Sequence, residues 1–273
     1  MGGFVRCLRL LPPAAAVGMA LVVWLGGQAP AAEGADDPLG YVFDPDHVDD
    51  PTLIAVGQVL FDRGCVSCHG KGGVGAPEGP PLLGVGAASA HFYLTTGRMP
   101  ASDQGEEANI MRKPPAYAPD EIAALVAYVA SLGDGGPPIP EVDPASGDLP
   151  HGGELYRLNC AACHGAAGTG GALSYGRNAP TLVEATPVQV AEAIRVGPGQ
   201  MPRFTSEGLS NEEVDSIVRY VQFLQTVEDP GGFSLGRVGP IPEGFVAIVI
   251  GLGATLLAAF WIGTRRLQGE DVR

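Results

Sequence analysis

Four of the five cysteines in this chain fall into two Cys-x-x-Cys pairs, each followed at once by histidine: Cys65, Cys68 and His69, then Cys160, Cys163 and His164. On a short helix, that spacing brings two thiols close enough to add to the two vinyl groups of one porphyrin. The residue that follows then projects an imidazole under the iron. This is the c-type haem attachment pattern, and the sequence predicts two covalently bound haem c groups. A thioredoxin-like redox pair would need a βαβ context, which is not visible. One zinc site built from both pairs is the other use of such spacing, but it would need neither the two histidines nor the Met-Pro segments downstream. Cys7 stands alone near the N-terminus. With the other four thiols bonded to haem, no disulfide framework remains.

Each iron then needs a sixth ligand. Met99 and Met201 each precede proline in a glycine-containing loop, Gly-Arg-Met-Pro and Gly-Gln-Met-Pro. A thioether is a soft ligand that favours ferrous iron and raises the reduction potential. Of the remaining methionines, Met1 and Met19 lie in the leader, and Met111 has no counterpart in the second half. His91 is the other rival at the first haem, while His47 and His151 lack repeat partners. A ligating histidine donates its other ring N–H to a carbonyl or carboxylate. Pro80 and Pro180, in two Pro-x-Leu segments, are placed to offer carbonyls, or else only shape the loop. With His69, Met99, His164 and Met201 on the metals, neither iron keeps an open position. That argues against oxygenase, peroxidase and hydrolytic chemistry and favours outer-sphere electron transfer.

The elements that must hold these residues occur twice. GQVLFDRGCVSCHG (57–70) is matched by GGELYRLNCAACHG (152–165) at an offset of 95 residues, pairing Gly57 with Gly152 and Phe61 with Tyr156. Each unit closes with a segment of helical periodicity, at 118–132 and 210–226, with an acidic first turn and a central tyrosine, Tyr128 or Tyr220. The Pro/Gly-rich stretch between the units reads as an extended connector. The fold class expected is all-α, with two small domains in tandem and a membrane helix. The expected segments are a signal peptide or N-terminal anchor (1–32), a linker (33–50), a first domain (51–133), a Pro/Gly linker (134–147), a second domain (148–228), a linker (229–243), a transmembrane helix (244–264) and a tail (265–273).

The two ends agree on topology. Arg6 and Arg9 precede an apolar run and an Ala29-Pro30-Ala31 site, fitting a cleaved signal or a retained anchor. Phe245 to Ile262 carries no charge and is followed by Arg265 and Arg266. By the positive-inside rule, both termini face the cytoplasm and everything between lies outside it, on the cell membrane. Between Glu33 and Arg237 there are 27 acidic and 11 basic residues. Such a surface excludes nucleic acid as a partner and suits a basic or dipolar redox protein. Solubility alone would also account for it.

Taken together, the Gly-x-x-Leu-aromatic lead into Cys-x-x-Cys-His-Gly, the Pro-x-Leu, the Met-Pro and the closing aromatic helix resemble the class I cytochrome c fold. The order of parts, ending in one membrane helix and Arg-Arg, is similar to the dihaem cytochrome c subunit of the actinobacterial-type cytochrome bcc complex, a menaquinol–cytochrome c reductase. That resemblance implies a Rieske iron–sulfur protein, a cytochrome b and an aa-type oxidase as partners, within a dimeric complex. It implies that the His69 haem accepts electrons from the Rieske cluster and the His164 haem passes them on. Three other readings remain: a dihaem subunit of a cbb-type oxidase, the cytochrome of a periplasmic dehydrogenase, and a dihaem peroxidase. The first is normally anchored from its N-terminal side, and the last needs a labile iron.

Overall fold

The computed structural model describes residues 48–101, 111–226 and 240–270. The N-terminal segment with Cys7, the Ala29–Ala31 site, His47 and positions 229–239 of the expected 229–243 linker lie outside the described residues, while positions 240–243 of that linker are helical.

Each half opens with a helix that delivers its cysteines. α1 (Pro51–Gly64) starts at Asp50, whose side chain accepts from the Thr52 N–H at 2.7 Å. It hands over at Cys65 to a one-turn helix, α2 (Val66–His69). α3 (Ala87–Thr95) follows, and α4 (Pro119–Ser131) closes the first half. The second half repeats the plan with α5 (Leu149–Asn159), α6 (Ala161–His164), α7 (Pro187–Val196) and α8 (Asn211–Thr226). The predicted closing helices are thus present, and their starts follow from local chemistry. Ser210 and Glu213 form a reciprocal capping box, and Glu121 accepts from the Ala118 N–H at 2.9 Å.

α1 packs on α4 and α5 on α8, and at both crossings a glycine lets the backbones meet. A Cβ at Gly57 would sit 1.9 Å from the Ala124 carbonyl oxygen, and one at Gly152 would sit 1.9 Å from that of Ser216. Beside each crossing an aromatic pair is tilted together: Phe61 with Tyr128 at 5.1 Å, and Tyr156 with Tyr220 at 5.3 Å. The repeat in sequence is therefore a repeat in packing. One core gathers around Phe61, Leu125 and Val126, the other around Tyr156, Ile217 and Val218.

Three features differ from the expectation. α3 and α7 carried no assignment, although both halves depend on them. The second half has a small antiparallel ribbon, β1 (Gly171–Ala172) with β2 (Asn178–Ala179), so the fold is helical but not free of strands. The 134–147 connector is irregular but docked: the Pro137 carbonyl accepts from the Ala88 N–H at 3.1 Å, and Ile139 is buried in the first core. At the C-terminal end, a helical run comprises α9 (Pro240–Val246), a π segment (Ala247–Leu252) and α10 (Gly253–Glu270). Within it, Glu243–Thr264 is long and apolar enough to cross a membrane.

Candidate functional site

Both attachment loops are built by the same hydrogen bonds. The Cys65 N–H donates to the Phe61 carbonyl at 2.8 Å and the Cys160 N–H to the Tyr156 carbonyl at 2.8 Å. The His69 and His164 amides return to the Cys65 and Cys160 carbonyls at 2.8 and 2.9 Å. Burial, with the neighbouring thiol adding to it, pushes Cys65 and Cys160 up to about 11. A thioether has no proton to lose, so an environment that opposes the thiolate suits the bonded sulfur.

The two histidines are buried and oriented alike. His69 Nδ1 lies 2.8 Å from the Pro80 carbonyl oxygen, and His164 Nδ1 lies 2.9 Å from that of Pro180. A carbonyl can only accept, so Nδ1 carries the hydrogen in each ring and Nε2 of the neutral imidazole keeps its lone pair. Burial holds His164 below the ordinary histidine value, against the pull of its Pro180 bond. The prolines therefore supply the expected carbonyls.

His69, His164, Met99, Met201 and all four paired cysteines line one continuous cavity of about 1180 Å³. That exceeds the usual range for a single ligand pocket, roughly 300–1,000 Å³. The rival residues are elsewhere. Met111 is 60% exposed and outside the lining. His91 is also outside it, with Nδ1 2.6 Å from Glu192 Oε1. His151 is half exposed beside Glu154 and Glu213.

The donor set thus fits haem: paired thiols on one turn, an imidazole with Nε2 left open, and a thioether facing the same apolar space. Three arginines, Arg98, Arg112 and Arg177, line that space and were not singled out from sequence. Arg98 is buried, its guanidinium 4.9 Å from the Phe92 ring centre. Burial lowers its pKa, Tyr93 opposes this and the nearby Arg112 adds to it. Cations so placed suit the carboxylates that a haem carries. A further arginine fastens the Met201 loop: Arg195 donates to the Leu209 carbonyl at 2.7 Å, the Phe204 carbonyl at 3.3 Å and Asn211 Oδ1 at 2.8 Å. These partners are 9 to 16 residues away, so no local pattern marks them.

Comparison with known proteins gives two domain matches. Residues 54–133 match a family described as "Cytochrome c", and residues 147–221 one described as "Cytochrome C oxidase, cbb3-type, subunit III". The chain is 42% identical to the cytochrome bc1 complex cytochrome c subunit of Mycobacterium leprae, over 80% of this chain and 77% of that protein. It is 36% identical to the protein of that name in Corynebacterium diphtheriae, over 96% of this chain and 98% of the other. The cbb3-type cytochrome c oxidase subunit FixP of Azorhizobium caulinodans is 32% identical, over 42% of this chain and 40% of its own length.

Proposed function

The chain belongs to the family of cytochrome bc1 complex cytochrome c subunits, and from that premise we propose that it is the dihaem electron carrier of a respiratory quinol–cytochrome c reductase. One haem c would be bonded at Cys65 and Cys68 with His69 and Met99 as iron ligands. The other would be bonded at Cys160 and Cys163 with His164 and Met201. The observation that carries this reading is the duplication of the donor set within one cavity. Each bound haem supplies a one-electron iron couple. The chain's own residues do the rest: Pro80 and Pro180 fix the imidazole tautomers, and the apolar walls around Leu82, Leu125, Val190 and Ile194 exclude water. In this reading the chain serves the complex as a carrier.

In this reading, the first half takes electrons from a Rieske iron–sulfur subunit working with a cytochrome b. The second half passes them to an aa-type oxidase, in a dimeric assembly. The domains lie on the extracytoplasmic side, anchored by the Glu243–Thr264 helix with the C-terminus in the cytoplasm. Acidic residues favour positively charged docking faces on these partners. The cbb-type oxidase reading is favoured by one observation, the match of residues 147–221, but that likeness stops well short of the chain's length.

The test is affinity purification of the tagged full chain from mild-detergent membranes. Co-purification of a Rieske protein and a b-haem subunit, with quinol-driven reduction of the c-type haems, is expected. Recovery with a dehydrogenase or with cbb-type oxidase subunits, or of the chain alone, would overturn the reading.

A further inference from the structure

The seam between the two halves is polar where an apolar seam would suffice. Glu192 on α7 is wholly buried, yet it belongs to neither set of haem donors. Its Oε1 meets His91 Nδ1 on α3 at 2.6 Å, and its Oε2 has no hydrogen-bond partner. One turn along the same helices, Gln189 donates to Thr95 Oγ1 at 3.3 Å and accepts from Arg112 at 2.7 Å. A third link runs from the second methionine loop: the Gly199 N–H hydrogen-bonds the Tyr93 hydroxyl, a pull on that group that opposes its burial. α3 and α7 are also cavity walls. Phe92 and Leu94 face the cavity from one helix, Val190 and Ile194 from the other.

A buried carboxylate with one idle oxygen is a poor device for stability. Desolvating it costs more than the pairing returns, and well-packed apolar side chains would hold the helices at least as well. What such a pair does well is reject alternative registers, because sliding either helix would strand both groups. Two contacts a turn apart fix translation and rotation together.

We propose that His91 and Glu192 are positioning residues for electron transfer between the two halves, a buried pair that locks α3 against α7 and so fixes the separation and angle of the two haem sites. The proposal rests on the dihaem reading above. Transfer by tunnelling falls steeply with distance, so a seam free to slide would yield a spread of rates. The locked seam yields one.

The test uses the full-length holoprotein in detergent. Haem content is first measured by pyridine haemochromogen. Pulsed electron paramagnetic resonance of the oxidised protein then reads the distribution of inter-haem dipolar coupling. His91→Leu/Glu192→Leu removes both polar groups at once and leaves no stranded charge. Glu192→Gln keeps a hydrogen bond to His91. The expected result is a narrow distribution in the parent, a broad one in the double variant with both haems retained, and a return to narrow in Glu192→Gln. A double variant with two haems and an unchanged distribution overturns the proposal while leaving the dihaem reading intact. One haem per parent chain overturns both.

Discussion

Replacing Gly57 or Gly152 by alanine should destabilise the fold even though alanine is the better helix former. At Gly57 the new Cβ would lie 1.9 Å from the Ala124 carbonyl oxygen, 2.6 Å from its carbon and 2.8 Å from Tyr128 Cβ. At Gly152 it would lie 1.9 and 2.4 Å from the Ser216 carbonyl oxygen and carbon. These neighbours are backbone atoms of the facing helix and a Cβ fixed directly to it, so none can rotate aside. Ordinary contact is about 3.5 Å, so the helices must part by about 1.5 Å. Overpacking of this kind costs about 1–3 kcal/mol, and more where backbone must move. The gain in helix propensity is about 1 kcal/mol. We expect a net loss of about 2 kcal/mol at either site. Gly208→Ala is the control, since its Cβ would meet nothing nearer than 3.7 Å. Chemical unfolding of the purified holoprotein, followed by Soret circular dichroism, is the assay. Alanine variants at 57 and 152 that match the control would refute the close crossings and with them the packing of both domains.

Met201→His should keep a six-coordinate, low-spin iron at one haem but lower that potential alone, since thioether ligation is what raises it; a redox titration in which both haems shift, or neither, would contradict the assignment. Arg195→Leu should strand the Leu209 and Phe204 carbonyls, costing about 1–3 kcal/mol each where they stay buried, and should loosen the Met201 loop enough to produce a high-spin fraction at the second haem only.

The site was legible because its chemistry is local. Cys-x-x-Cys-His occupies one helical turn, and the Pro80 and Pro180 carbonyls follow within 11 and 16 residues of their histidines. The closing helices were legible because capping and periodicity agree, as at Ser210 and Glu213. What escaped depends on distant partners. α3 is apolar on nearly every side because it faces a core, a cavity and a seam at once, and its start at Gly86 has no side-chain cap. α7 does carry a signal, the Thr186–Gln189 capping box, which could have marked it. His91 looked like a spare ligand because its partner Glu192 is 101 residues away. The 134–147 connector has the composition of a free spacer, and only tertiary contact reveals that Pro137 and Ile139 dock.

The central claim is two haems bonded to one chain, each at its own cysteine pair. Intact-mass spectrometry of the full chain purified from membranes tests it directly, together with the Cys65→Ala/Cys68→Ala and Cys160→Ala/Cys163→Ala variants. The account predicts the polypeptide mass plus two haems for the parent and plus one for each variant. A parent carrying one haem, or a variant that still carries two, would contradict it.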